Sequence, residues 1–255
     1  MNEALENLLK NPRVWRAGNP ASTEALQGYP SGYPKLDRHL PGGGWPRHAL
    51  TEILIEHHGT GELRLLMPAL ARLCRAAKKA GSNVEQAGWI AWIAPPFQPY
   101  PPALTEWNLD LSRLLIVHPE RGAETFWAAE QALASGNCAA VLLWPEKIGE
   151  EIGVEPPSLS TAAPPGKPRR KRRFDPHSFR RLQLAAEKGR SWAIAFRPLQ
   201  AAAENSAAAL RLRLVKGDRG TDVVILKSRG GRQCAVQNVI HDEDRCGDRV
   251  NVDKA

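Results

Sequence analysis

Apolar residues in this chain fall into short unbroken runs, and between the runs they recur every three or four positions. The runs are "ALTEILI" (49–55), "GWIAWIAP" (88–95), "SRLLIVHP" (112–119) and "CAAVLLWP" (138–145). A run that is apolar on both sides of its pleat predicts a strand buried on both faces, and such strands belong to parallel sheets covered by helices. Leu63, Leu66, Met67, Leu70, Leu73 and Cys74 recur at helical spacing and predict a helix reaching about Ala80. Pro68 lies inside it and lacks a backbone donor, so a kink is expected there. A second helix is expected from Glu124 to Ala134. After Trp144 the pattern stops: 146–174 hold Pro156, Pro157, Pro164, Pro165 and Pro168 among charges, which predicts a flexible insertion. Order resumes with a helix over "HSFRRLQLAAEKG" and a strand "SWAIAF". The alternating "ALRLRLV" and "DVVILKS" predict antiparallel strands at one sheet edge. The expected organisation is an N-terminal helical or extended segment (1–27), an α/β core (28–238) and a polar, disordered tail (239–255).

Charge singles out one element. The 35 Lys and Arg against 27 Asp and Glu leave a net charge of +8. Residues 166–190 alone hold ten basic residues against Asp175 and Glu187, which is the same +8, so the rest of the chain sums to zero. Such concentration is the footprint of a nucleic acid or an acidic partner, and a solvated charged loop is the other reading. Lys167, Arg169, Arg170, Lys171, Arg172 and Arg173 are candidate phosphate contacts, with Arg180 and Arg181 following. Contacts of this kind are salt-sensitive and indifferent to base sequence. Phe174 and Phe179 flank the run and either stack on bases or pack internally. Cys74, Cys138, Cys234 and Cys246 lie far apart with no histidine at ligand spacing, which predicts reduced thiols and no metal. No basic stretch followed by an apolar run opens the chain, and no run approaches a membrane span, so a cytoplasmic location is expected.

The stretch "EILIEHHGTGELRLLMPAL" (52–70) reads as strand, glycine turn and helix, the shape of a phosphate-binding loop. Such a loop carries Gly, four residues, Gly, Lys, then Ser or Thr. In that frame Glu56 replaces the first Gly, Gly61 keeps the second, Glu62 stands for Lys and Leu63 for the hydroxyl, with Gly59 inside the turn. The charge that would neutralise phosphate and the ligand that would hold magnesium are both absent from these positions. A carboxylate in the first helical turn faces the positive end of the helix dipole, so Glu62 is expected to close the loop with its own side chain. An ordinary strand–turn–helix with no nucleotide history fits the same residues.

"GYPKLDRHLPGGGWPRHALTEILIE" resembles the segment that leads into the phosphate loop of RecA recombinases, and "GWIAWIAPPFQPYPPALTEWNLDLSRLLIVHP" is similar to the RecA strand, loop and helix that follow. "LPGGGWP", "GELRLLMPAL", "WIAPPFQPYPPAL", "RRLQLAAEKG" and "ILKSRGG", in that order, resemble the signatures of the ImuA (SulA-like) family of bacterial mutagenesis cassettes. That resemblance implies a RecA-like fold: a mostly parallel sheet flanked by helices, with antiparallel edge strands near the C-terminus. It implies a non-catalytic role in damage-induced, SOS-controlled, error-prone translesion synthesis, close to the nucleoid. The implied partners are RecA, an inactive Y-family polymerase-like protein of the mutasome, an alternative replicative polymerase and DNA without sequence preference. It also shows what is missing. Pro96 stands at the position of the water-activating glutamate, Trp144 and Pro145 at that of the Walker B aspartate, and Arg197 at that of the phosphate-sensing glutamine. With the lysine and hydroxyl gone as well, a pseudo-ATPase without cofactor is expected. RecA loops after the fourth and fifth core strands contact DNA. Their equivalents here are the basic insertion and "PLQAAAENSAAAL", which has no charge excess.

Two further stretches are docking candidates. Leu5, Leu8, Leu9 and Trp15 form an apolar stripe ahead of the core, for a partner or for the chain's own core. "PPFQPYPP" either displays Phe97 and Tyr100 on a stiff backbone or folds them back onto the sheet. Two other functions stay open: a SulA-like inhibitor of cell division, disfavoured by the basic insertion, and a residual ATP-dependent DNA-binding protein.

Overall fold

The structure is a computed structural model, and it describes residues 28–79, 88–120, 122–145 and 176–241. The element order is α1 (Pro34–Asp37), β1 (Leu50–Ile55), α2 (Glu62–Lys79), β2 (Trp89–Ile93), α3 (Pro101–Glu106), β3 (Leu114–Val117), α4 (Gly122–Ala134), β4 (Cys138–Leu143), α5 (Pro176–Gly189), β5 (Trp192–Pro198), β6 (Leu210–Gly217), β7 (Gly220–Ser228) and β8 (Cys234–His241), with short 3₁₀ turns between some of them. All eight strands form one sheet in the order β3-β2-β4-β5-β1-β6-β7-β8. The first six are parallel, and β7 and β8 are antiparallel additions. The edge pair expected from "ALRLRLV" and "DVVILKS" is therefore a junction: β6 runs parallel to β1 on one side and antiparallel to β7 on the other. β8 continues to His241 and takes Val239 and Ile240 into the core, three residues past the boundary set at 238.

Two apolar layers sandwich the sheet. On one face Ile53, Trp92, Leu142, Ile194 and Leu212 meet α2 through Leu65, Leu66 and Leu70. On the other, Ala91, Val141 and Ala193 meet α4 and α5 through Phe126, Ala129, Phe179 and Leu182. Small residues on the second face let α4 and α5 approach the strands closely. Parallel crossovers are almost always right-handed, so reversing the direction of travel across a sheet moves the helix to the other face. The chain steps one way from β1 to β2 and β3, then back through β4 and β5 to β6. The reversal point lies beside β1, where loops leave for opposite faces, and in open α/β sheets such a crevice is where ligands sit.

α2 continues as one helix through Pro68. The amide that proline lacks would have bonded the carbonyl of Arg64. That carbonyl accepts instead from the Tyr33 hydroxyl at 3.0 Å. Among the described residues no helix is long and apolar enough to cross a membrane. Residues 1–27, and with them Leu5, Leu8, Leu9 and Trp15, lie outside the described residues, as do 146–175.

Candidate functional site

β1 ends at Ile55, and its carboxyl end opens into residues 56–61 ahead of α2. Gly59 and Gly61 take the left-handed backbone, with φ of 84° and 99°. At Gly61 a side chain would also press on Thr221 Oγ1 at 3.2 Å and Ile240 Cδ1 at 3.3 Å, so glycine is required there on two counts. The turn is tied down from within and without. Thr60 Oγ1 donates to the His57 carbonyl at 2.6 Å, and Thr221 Oγ1 on β7 donates to the Thr60 carbonyl at 2.8 Å.

Glu62 is the first residue of α2, and its carboxylate turns back into the loop. The Gly59 amide donates to Glu62 Oε1 at 2.9 Å. The side chain is buried, at 5% exposure, and lies at the positive end of α2. An anionic oxygen thus sits against a loop amide at a helix N-terminus, and it belongs to the protein itself. The other carboxylate oxygen, Oε2, is buried with no hydrogen-bond partner, and so is His58 Nδ1, which lies 4.0 Å from Oε1. Burial pushes the His58 imidazole below its ordinary pKa, with the nearby Glu62 carboxylate opposing that shift. The Phe97 ring packs edge-on to His58 with ring centres 5.6 Å apart. Phe97 is still 69% exposed, and Tyr100, which precedes α3, is 70% exposed. Neither ring folds back onto the sheet, and both lie at the carboxyl ends of the strands.

The other positions singled out from the sequence separate. Glu56 is exposed and Leu63 half-buried beside the loop. Trp144, just past β4, stacks on Phe196 at 4.6 Å and packs against Trp92 at 5.7 Å, so an aromatic cluster fills this end of the sheet. Pro96 is exposed. Phe179, one of the two rings considered for base stacking, is a core residue instead. It is buried, meets Phe126 edge-on at 5.3 Å, and lies 4.1 Å beneath the Arg197 guanidinium. Its apolar spacing with Leu182 and Ala186 on one face of α5 decides this.

Arg180 and Arg181 are both exposed near the start of α5, and Arg181 pairs with Glu130 of α4 at 3.3 Å. Because α5 connects two parallel strands it runs against them, so its beginning lies at the same end of the sheet as the Glu62 loop. Lys167, Arg169, Arg170, Lys171, Arg172, Arg173 and Phe174 lie outside the described residues. The insertion that holds them joins Pro145 to Pro176, two points at that same end.

One charged cluster has no counterpart in the motifs read from the sequence. Glu52, mid-way along β1 and fully buried, accepts from Arg211 Nε at 2.8 Å and from Ser206 Oγ at 2.6 Å, and lies 3.7 Å from Arg197 Nη1. Arg197 also donates to Glu204 at 2.8 Å, and Arg211 to the carbonyls of Ala201 and Glu204. Two arginines and two glutamates balance, and together they clamp the segment after β5. Arg197 is thereby a structural ion-pair residue, and the segment "PLQAAAENSAAAL", which has no charge excess, is pinned to the sheet. The signal was present as Glu52 inside an apolar run and as arginines alternating in "LRLR". Among the described residues no group of three or more His, Cys, Asp or Glu is arranged to hold a metal ion. No model of a known protein family matches this chain, and no curated protein matches it.

Proposed function

We propose that this chain is a non-catalytic, RecA-like accessory protein of damage-induced, error-prone translesion synthesis, acting by binding DNA and protein partners without turning over nucleotide. The observation that carries this reading is the Glu62 carboxylate on the Gly59 amide. A nucleotide phosphate entering this loop meets a negative charge where a phosphate loop supplies lysine. Two like charges 4 Å apart at an effective dielectric constant near 20 repel by about 4 kcal/mol. At about 1.4 kcal/mol per decade, that weakens phosphate affinity by roughly a thousandfold. Phosphoryl transfer depends on positioning and charge neutralisation, so the loop also lacks what catalysis needs.

The fold supports the same reading at a coarser level. A mostly parallel sheet with antiparallel C-terminal edge strands is the form the RecA and ImuA resemblance implies, and the loop lies at the reversal point beside β1. DNA binding is supported by the confinement of the net charge to 166–190, and by Arg180 and Arg181 standing exposed at the end of the sheet where that segment attaches. RecA, the inactive polymerase-like protein and the alternative replicative polymerase enter as partners through the resemblance alone.

The test is to immobilise the purified chain, pass RecA, the polymerase partners and the division protein over it, and measure DNA binding in parallel. Retention of RecA or a polymerase partner together with salt-sensitive DNA binding is expected. Retention of the division protein alone, without DNA binding, would favour the SulA-like alternative and overturn the proposal.

A further inference from the structure

The edge of the sheet opposite β3 has an open groove. β8 is the last strand in the order, and no described strand pairs with its outer side. A groove of about 330 Å³ runs there, lined by Lys35, Arg38, His39, Ala235, Val236 and Gln237. Side chains of consecutive strand residues point to opposite faces. A groove touched by 235, 236 and 237 together therefore follows the edge of β8 and lies over neither face alone.

Its wall is fixed. Leu36 is fully buried beneath α1, Leu40 follows it into the core, and the Tyr33 hydroxyl anchors the start of α1 to α2. Its charge is of one sign. Lys35, Arg38 and His39 are exposed, and none of them forms an ion pair among the described residues. The carboxylate between them, Asp37, accepts from the Ser31 amide at 3.0 Å. The turn before β8 packs on Pro41, where a side chain at Gly231 would lie 2.9 Å from the proline ring, and this brings exposed Arg232 to the same end.

We propose that this groove takes an extended acidic peptide from a protein partner. The peptide adds as a strand to β8, and its alternate Asp or Glu side chains face Lys35, Arg38 and His39. The spacing suits this. Lys35 and Arg38 are three apart in helical backbone, so their Cβ atoms lie about 5–6 Å apart. Carboxylates at every second position of a strand recur about every 6.8 Å, a difference that long basic side chains absorb. Backbone pairing supplies affinity and the charges supply register and choice of partner. A nucleic-acid strand would meet the cations but leave the backbone groups of the β8 edge unpaired, so the peptide is favoured. The proposal stands apart from the nucleotide loop and from the translesion reading.

The experiment uses the full chain and three fluorescent probes: a short peptide alternating glutamate with valine, the same peptide with lysine for glutamate, and a single-stranded oligonucleotide. The acidic peptide is expected to bind saturably, weaken with salt and slow amide exchange in β8, while the lysine peptide does not bind. In K35E/R38E the acidic peptide should bind on the order of tenfold or more weakly. The melting temperature should hold, because both side chains are exposed. Failure of the acidic peptide to bind, equal binding to K35E/R38E, or protection elsewhere than β8 would overturn the proposal. So would K35E/R38E losing the oligonucleotide but not the peptide, which would make the groove a phosphate contact.

Discussion

Glu52 and Glu62 are ten residues apart, both buried, and their surroundings give them opposite energetics. Glu52 is matched by two arginines and a serine hydroxyl, so removing it leaves buried guanidinium charge without a partner. Glu52→Ala is expected to cost about 3–5 kcal/mol in urea unfolding. Glu62 gains a charge-assisted bond from Gly59 and a favourable helix dipole, but carries an unpartnered buried oxygen that costs about 1–3 kcal/mol. These terms nearly cancel, so Glu62→Ala should change stability by less than about 1 kcal/mol. A large loss in Glu62→Ala would mean that the loop needs its carboxylate to fold. His58 sets a pH dependence beside it. Its folded-state pKa lies below the unfolded value of about 6.5 because burial disfavours the charged ring. The unfolded chain therefore binds the extra proton first, and stability present above that value is lost as pH falls from 6.5 toward the folded-state pKa. His48 is lowered in the same direction, by burial and then by Arg190 and Arg47. Melting temperature should thus fall as pH drops below about 6.5, and less steeply in His58→Gln. An equal fall in both proteins would remove His58 from the account.

At the level of elements, the parallel strands and long helices were legible because doubly buried strands and one-faced helices print their periods directly into the sequence. β1, β2, β3 and β4 lie within the predicted runs, β5 extends two residues past "SWAIAF" to Pro198, and α2 ends at Lys79, next to its predicted limit. β8 escaped because "CAVQNVIH" is an edge strand broken by a register shift opposite Thr221 and Val223, with Asn238 at φ 49°, so its alternation is interrupted. α1 and α3 escaped because a helix of four or six residues has too few turns to show a period. Trp89 in β2 and Trp127 in α4 lie inside apolar patterns and yet are exposed at 39% and 63%. The Arg64 carbonyl that Pro68 leaves without an amide in α2 is satisfied by a tertiary bond that no local pattern encodes. Tyr33→Phe removes the donor to the Arg64 carbonyl and should cost about 1 kcal/mol, read as a shift in the urea midpoint. Slower exchange of α2 amides in that variant than in the wild type would contradict this role.

For the whole molecule, the sheet brings separate parts of the sequence to one end: the Glu62 loop, the exposed rings of Phe97 and Tyr100, the start of α5 with Arg180 and Arg181, and both attachment points of the basic segment. The sequence carried the content of that end but not its assembly, since only the strand order makes these segments neighbours. Replacing Lys167, Arg169, Arg170, Lys171, Arg172 and Arg173 with serine should weaken DNA binding at low salt and flatten its salt slope by about 0.9 for each duplex phosphate no longer neutralised. An unchanged slope would leave the cluster as a solvated loop. The Glu62 carboxylate fills the loop after β1, and thermal unfolding with MgATP tests most directly the proposal that it keeps nucleotide out. A ligand at a hundred times its Kd stabilises by about 2.7 kcal/mol, which for a domain of this size is a rise of roughly 5–11 °C. The account predicts no magnesium-dependent rise in Tm for the wild-type protein at millimolar ATP. A clear rise that requires both ATP and magnesium would contradict it.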